Sequence, residues 1–371
     1  MLGNYFPLIL AAWLVVSCAA HPAGYDELGH FQALNTRQHI GKSRHKLSQC
    51  SDHLKKRGIQ AIAETRRAAV LETYRQKLLG AGSVSSAYNT DAKNPFISQA
   101  IPDDSVCVLA PEATIGPFWV RGEFIRSNIT DGQAGIPLVV HAQFIDVNTC
   151  EPIENLYWEI WSCNALGKYS GVLEHSNSPR SNLNETFLRG LQRTDTDGSA
   201  QFETIFPGHY GGRATHIHLL AHVGASVLPN KTLTGGHIPH ISQLFFDQSL
   251  IEAVETHQPY RTNEDPVTRN SEDGIFHEAS DGGKYDPVAK YTMIGDRISD
   301  GILVSVTMGI DISASYRADY AAELTDHGGI VHRHGCVLYL LFLSLSSVGL
   351  SMPTSTVLFY FTIAFRFLRH F

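Results

Sequence analysis

Basic charge is scarce in this chain of 371 residues, which limits the partners it can have. Its 29 Lys and Arg residues are outnumbered by 36 Asp and Glu residues, and the formal net charge is −7 at pH 7. A chain with this balance has no electrostatic footprint for nucleic acid. The sequence also lacks a glycine-rich phosphate loop before a helix and a GxSxG elbow, so it carries neither the common phosphate-binding motif nor the serine-hydrolase motif.

Apolar runs long enough to span a membrane are missing as well. Residues 5–16 form an apolar run too short to cross a bilayer, and small residues follow it before His21. This pattern predicts a signal peptide over residues 1–20. Three glycosylation sequons, at Asn128, Asn184 and Asn230, agree with export. We therefore expect a secreted protein.

Two further apolar runs, residues 336–350 and 357–365, lie near the end of the sequence, and neither reaches the roughly 20 residues that spanning requires. A removed anchor signal, a hairpin-like membrane segment and read-through in the gene model all stay open. We expect residues 317–371 to form an apolar tail outside the fold. Contact with a membrane is expected only if this tail is real.

Cysteines are few, and none has the CxxC spacing of a metal site. Removal of the leader discards Cys18 and leaves Cys50, Cys107, Cys150, Cys163 and Cys336. In an oxidising compartment four of them could form two disulfides, with three possible connectivities and an odd cysteine in the tail. The sequence does not choose among these connectivities.

The remaining chain divides into an N-terminal extension, residues 21–101, and a β-rich domain, residues 102–316. In the extension, apolar residues recur at helical intervals over residues 47–79; Gly58 interrupts the run and Gly80 ends it. This predicts one or two amphipathic helices that act as a packing or dimerisation arm, with a possible homodimer through them. Residues 81–93 have the composition of a linker.

The β-rich domain contains short apolar runs separated by turn residues, which predicts a mainly β protein with a β-sandwich core. The runs are IPLVVHAQFIDV, YWEIWSC, AQFETIF, THIHLLAHV, SQLFFD, KYTMIG and ILVSVTMGI. The DTDGS segment lacks the final acid of a calcium loop, so we expect it to be a turn.

The stretch FPGHYGGRATHIHL, residues 206–219, carries the chemistry. His216 and His218 have strand spacing, so both imidazoles face one side and can bind one metal ion. Tyr210 lies just upstream, and Tyr169 follows a second strand-like run. Phenols lose their protons only to a strong Lewis acid, and hard oxygen donors favour hard ions. Two tyrosines and two histidines therefore indicate ferric iron, whereas the histidine pair alone would more often be a zinc or surface site.

At these residues the sequence resembles the intradiol ring-cleavage dioxygenases, the catechol and protocatechuate class, and most closely their secreted fungal branch. The matching segments, which lie between residues 102 and 314, include PEATIGPFW, YWEIWSCNALGKYSGV, TDTDGSAQFETIFPGHYGGRATHIHL and SQLFFDQSLI. The resemblance implies the β-sandwich of this class with an N-terminal helical extension.

The same resemblance assigns Tyr169, Tyr210, His216 and His218 as ligands of Fe(III). Arg213 matches the family's active-site arginine, and Gln243 falls where the family has a glutamine beside it. The odd offset of Arg213 from the histidines requires a loop or bulge at residues 211–214.

Phe118 stands where relatives often have tyrosine, and residues 117–119 are expected to form a wall over the substrate ring. The histidines at positions 209, 222, 237 and 240 are expected to be solvated and not to bind the metal.

The resemblance implies cleavage of a catechol-type aromatic diol by O2 between its two hydroxylated carbons, giving a muconate-type diacid. Tyr210 would leave the metal and accept a substrate proton, and Arg213 would stabilise negative charge that develops on the ring. The alternative is a non-catalytic secreted β-sandwich binding module with an incidental HxH zinc site.

Overall fold

The apolar runs of the β-rich domain form two four-stranded sheets packed face to face. A computed structural model describes residues 50, 52–80, 115–173, 180–280 and 286–331. In spatial order the first sheet comprises Lys290–Met293 (β10), Ile302–Ile310 (β11), Pro137–Asp146 (β2) and Ser199–Ile205 (β5). The second comprises Arg189–Arg193 (β4), Tyr157–Trp161 (β3), His216–Val223 (β6) and His237–Phe245 (β9). Strands β11 and β2 are parallel, and the other pairs within the two sheets are antiparallel.

The space between the two sheets is filled by large apolar side chains from alternate strand positions. Trp158 of β3 is fully buried, and its ring lies 4.8 Å from that of Phe202 and 5.6 Å from that of Phe144 on the opposite sheet. Ile217 and Leu219 of β6 belong to the same core. The predicted mainly β fold with a sandwich core is therefore confirmed.

The other face of the second sheet is the one that carries the metal-binding candidates. Because Ile217 and Leu219 point into the core, His216 and His218 point away from it. A small third sheet, of Val120–Arg121 (β1), Ala322–Thr325 (β12) and Gly328–Val331 (β13), contributes apolar residues that pack against this face at Trp161 and Leu220. A two-stranded hairpin, Ser226–Val227 (β7) and Leu233–Thr234 (β8), follows β6.

The first sheet is covered on its outer face by the N-terminal extension. Residues 52–56 are helical, a turn follows at residues 57–58, and the helix α1 runs over Ile59–Gly80. The predicted interruption at Gly58 and end at Gly80 are confirmed. Two shorter helices, Gln248–Glu255 (α2) and Gly274–Ser280 (α3), and four 3-10 segments, Arg180–Asn184, Tyr260–Thr262, Asn270–Glu272 and Ile298–Asp300, complete the described elements. No helix within the described ranges is long and apolar enough to cross a membrane.

Helix α1 packs on its own chain. Val70, Leu71, Tyr74 and Leu78 contact a buried group formed by residues of β2, β11 and the β10–β11 connection. Tyr74 donates a hydrogen bond of 2.7 Å to Glu203, and ion pairs from Arg66 and Lys77 also anchor the helix. The predicted homodimer through these helices is not supported, because this apolar face covers a sheet of the same chain.

One disulfide bridge lies within the described residues. Cys50 and Cys150 form a disulfide that ties the extension to the turn after β2. Cys163 is buried just after β3 and donates to the Gly208 carbonyl at 3.4 Å. Cys107 and Cys336 lie outside the described residues.

The predicted domain end at residue 316 is too early. Residues 317–331 belong to the fold, because β12 pairs with β1 in parallel and with β13 in antiparallel register. Strand β12 pairs with β1 from the far end of the domain and forms a hairpin with β13. Both pairings use backbone hydrogen bonds, which leave no apolar run in the sequence. The predicted signal peptide, the linker and the rest of the tail lie outside the described residues.

Candidate metal centre

Two loops and one strand bring four donor side chains together on the outer face of the second sheet. His216 and His218 extend from the first residues of β6, and their Nε2 atoms lie 3.0 Å apart. The Tyr210 hydroxyl lies 3.3 Å from His216 Nε2. The Tyr169 ring centroid is 5.7 Å from that of Tyr210 and 6.2 Å from that of His218. All four predicted ligand residues therefore converge on one point.

Both histidines are held with Nε2 directed at that point. His216 Nδ1 donates to the Ala214 carbonyl at 2.6 Å, which leaves the lone pair on Nε2. The His218 ring stacks on Trp161 with centroids 4.8 Å apart and an interplanar angle of 3°. Desolvation, with Arg213 adding to it, holds the pKa of both histidines well below the ordinary value. Neutral imidazole is the form that binds a metal ion.

Both tyrosines are poor acids as long as no cation is present. Burial raises the pKa of Tyr169 well above its ordinary value and raises that of Tyr210 as well. A bound cation of high charge would reverse this effect, because it favours the phenolate form. Within the described ranges no three His, Cys, Asp or Glu side chains form a metal cluster. A four-donor site here therefore needs the two phenol oxygens, which fits a hard ion such as ferric iron.

The segment between Tyr210 and His216 is a tight turn and not a regular strand, as the predicted role of Arg213 requires. The Arg213 N–H donates to the Tyr210 carbonyl at 3.3 Å, and Gly212 has a φ of +85°, which glycine adopts without strain. The turn brings Arg213 to the same side as the histidines. Its Nη2 donates to Gln243 Oε1 at 2.5 Å, and Gln243 lies directly across the sheet from His218.

The predicted aromatic wall forms only in part. Phe118 stacks on Tyr169 with centroids 4.5 Å apart and meets Tyr210 edge to face at 5.9 Å. The Trp119 side chain instead donates from Nε1 to Glu159 at 2.9 Å and packs on Tyr320, and Pro117 is exposed. Phe118 lies in a turn and Trp119 directly follows it. The two side chains leave this turn toward different partners, so they do not share one wall.

A family model described as Dioxygenase matches residues 120–229, which include all four candidate ligands. The solved structure of an intradiol ring-cleavage dioxygenase from Tetranychus urticae is 32% identical; the match covers 57% of this chain and 98% of that one, with a TM-score of 0.48. The chain belongs to the intradiol ring-cleavage dioxygenases.

Curated members of this dioxygenase family match over shorter stretches. Catechol 1,2-dioxygenase of Candida albicans is 25% identical over 201 residues, which is 53% of this chain and 51% of that protein. The β chain of protocatechuate 3,4-dioxygenase of Burkholderia cepacia is 30% identical over 105 residues, 26% of this chain and 43% of that one. The chain thus spans about half the length of the curated relatives that it matches. The closer resemblance to a secreted fungal branch stays a prediction.

Several residues that shape this dioxygenase site were not found by sequence reasoning. His209, expected to be solvated, is buried, with its ring nitrogens 2.7 Å from Glu255 and 2.8 Å from the Asp265 carbonyl. Burial acts to lower its pKa, but the Glu255 carboxylate outweighs this and raises it. His240 is buried too. Neither histidine joins the four donors.

His222 and His237 also face other partners. His222 lies 2.7 Å from Glu159, and His237 donates to the Ile312 carbonyl at 2.9 Å. Asp273, which holds Arg213, is fully buried. Nothing in the sequence indicated the contact between Arg213 and Asp273, because 60 residues separate them; only the Asp-Gly pair before α3 suggests a helix cap.

Proposed function

We propose that this protein is a secreted non-haem Fe(III) intradiol dioxygenase that cleaves a catechol-type diol with O2 between its two hydroxylated carbons. The observation that carries the proposal is the convergence of Tyr169, Tyr210, His216 and His218 beside Arg213. The substrate class comes from the family, and the product would be a muconate-type diacid.

The donor set favours ferric iron over zinc. Structural zinc sites use cysteine and histidine, and catalytic zinc sites of the hydrolases use histidines with a carboxylate or a third histidine. Here two phenol oxygens accompany two imidazoles, and such anionic oxygen donors stabilise the ferric state. When bound by these four residues, Fe(III) would supply Lewis acidity toward the hydroxyl groups of a catechol.

The side chains around this point have separate tasks in the proposal. Tyr210 is the more accessible of the two tyrosines, so its phenolate would be the one to accept a proton from a substrate hydroxyl. Phe118, packed on both tyrosines, gives the pocket an apolar surface that suits an aromatic ring. Arg213, a permanent cation, stabilises negative charge that develops on the ring during its reaction with O2.

Secretion is part of the same proposal and has two further supports. The sequon residues Asn128, Asn184 and Asn230 are all exposed, so a glycosylating enzyme could reach them. The disulfide between Cys50 and Cys150 is typical of an oxidising compartment. Glycan analysis of protein collected from the medium of a eukaryotic host tests this part.

Three measurements on the purified protein test the activity. We expect about one iron per chain, a broad visible absorption band from phenolate-to-Fe(III) charge transfer, and O2 uptake with a catechol panel. His216→Ala should lose all three. His237→Ala is the control, since its ring donates to a backbone carbonyl away from the donors. Colourless protein with stoichiometric zinc after growth in iron-replete medium would instead support the non-catalytic module.

A further inference from the structure

Asp273 occupies an unusual position behind the candidate metal centre. Its carboxylate is fully buried just before α3, and both oxygens are used. Oδ1 accepts the backbone N–H groups of Ile275 and Phe276 at 2.7 and 3.2 Å. Because these donors belong to the first turn of the helix, the carboxylate is fixed in orientation and its charge is stabilised there.

The second oxygen of Asp273 faces the turn that precedes β6. Oδ2 accepts from Arg213 Nε at 3.0 Å and from the Ala214 N–H at 2.8 Å. Arg213 Nη2 is held on its other side by Gln243. The planar guanidinium is thereby fixed at two of its three nitrogens, and only a planar fork can be oriented in this way. Within the described ranges Nη1 makes no protein hydrogen bond, so it is the nitrogen available to a bound ligand.

The same contact reaches a metal-binding candidate. Ala214, whose N–H is held by Asp273, accepts the His216 Nδ1–H at its carbonyl at 2.6 Å. That hydrogen bond sets the tautomer and the direction of the His216 ring. Partners that orient a ligand histidine typically change metal affinity 10–100-fold when they are removed.

We propose that Asp273 is the positioning residue that fixes both the Arg213 guanidinium and the His216 imidazole, so that one buried carboxylate aligns the charge-stabilising group and a metal ligand. This rests on the proposed function for its catalytic consequence, although the contacts themselves can be measured in metal-free protein. A carboxylate that only capped α3 would support the fold and leave both groups unaffected.

The test begins with metal-free wild-type protein. The Arg213 Nε–H should give a slowly exchanging, resolved signal in a nitrogen–proton NMR spectrum, assigned by its absence in Arg213→Lys. Asp273→Asn should remove or shift that signal. If the asparagine variant does not fold, Asp273→Ser, which keeps a capping oxygen, is measured in its place. Asp300→Asn is the matched control, because Asp300 is another buried aspartate that binds an arginine and a helix start, Arg297 and its N–H. A rapidly exchanging signal in the wild type would overturn the proposal.

A double-mutant cycle gives the functional arm. Asp273→Asn should bind iron about 10-fold more weakly through His216 and turn over about 10–100-fold more slowly. In an Arg213→Ala background, Asp273→Asn should lower kcat by less than a further factor of about three, because the effects of coupled residues are not additive. The loss of iron affinity should persist in this background, since it acts through His216. Full additivity in kcat with unchanged iron affinity would reduce Asp273 to a helix cap. Wild-type protein without iron or O2 uptake would instead count against the proposed function and leave the NMR result standing.

Discussion

Gly116 offers the sharpest perturbation of the candidate metal centre, because it lies against the His218 ring. A Cβ atom at this position would lie 3.0 Å from His218 Cε1, closer than such atoms normally approach. Gly116 also has a φ of +70°, which an alanine tolerates poorly. Gly132 is a matched control: its φ is +74°, it is exposed, and a Cβ there would meet nothing within 4 Å.

The two substitutions share one cost and differ in another. Left-handed backbone strain should destabilise both Gly116→Ala and Gly132→Ala by about 1–2 kcal/mol. Only Gly116→Ala must also displace His218, by a few tenths of an ångström. The ring has little room to yield, since it stacks on Trp161. Metal sites tolerate deviations of only about 0.2 Å, so we expect iron affinity to fall about 10–100-fold, or about 1.4–2.7 kcal/mol.

Two assays separate these terms. Urea unfolding of the metal-free proteins should show the backbone cost in both variants and a further loss for Gly116→Ala from its contact with His218. Competition with an iron chelator should give weaker binding for Gly116→Ala alone. A shift of the visible band should accompany the weaker binding. Equal iron affinity and identical spectra in the two variants would show that His218 is not a ligand or that its position is not critical, and the reasoning would fail.

Three further predictions concern catalysis, covalent linkage and acid stability. Arg213→Ala should retain iron yet turn over about 100-fold more slowly, and Arg213→Lys should restore part of the activity. Rapid-mixing spectra should show normal catechol binding followed by a slow reaction with O2. Near-wild-type turnover would contradict the role of Arg213. Cys50→Ser opens a closed loop of 100 residues and should lower the free energy of unfolding in urea by about 2–5 kcal/mol. A reductant should lower the stability of the wild type and leave that of the variant unchanged. Equal loss of stability in both proteins would argue against the bridge. Burial lowers the pKa of His240 from the ordinary 6.5 to about 4. Between pH 6.5 and pH 4 the unfolded chain therefore binds a proton that the folded protein does not, and the free energy of unfolding falls as the pH drops through this range. His240→Leu should remove up to about 1.4 kcal/mol of that loss per pH unit, and an unchanged pH profile would contradict it.

The strands and the helix that were predictable are those whose stability is local or follows from a simple pattern. The run ILVSVTMGI coincides with β11, and THIHLLAHV with β6, because burial of alternate or all side chains leaves a clear apolar pattern. Strand β4, RGLQR, was missed. It carries the fully buried Arg189, whose Nε and Nη2 donate to the Ser170 carbonyl at 3.0 and 2.7 Å. The sequence alone would place this arginine at the surface, because its hydrogen-bond partner lies in a separate loop.

In the candidate site, too, features within one element were predictable and contacts between elements were not. The spacing of His216 and His218, with glycines before them, predicted two imidazoles on one face and a turn at Arg213, and the structure has both features. Asp273 and Glu255 could not be predicted, since each reaches the site from a helix terminus more than 45 residues away in the chain. Sequence patterns identify groups that share one element, whereas partners from other elements become apparent only when the fold is known.

Backbone packing helps to position the two tyrosines, in addition to the contacts of their rings with Phe118 and with each other. A Cβ atom at Gly167, two residues before Tyr169, would collide with the carbonyl oxygen of His209, which directly precedes Tyr210. The His209 ring in turn fixes its own loop to Glu255 and Asp265. The loop that carries Tyr169 therefore packs directly on the backbone that leads to Tyr210, with no room for a side chain at position 167, and this contact helps to set the distance between the two phenols.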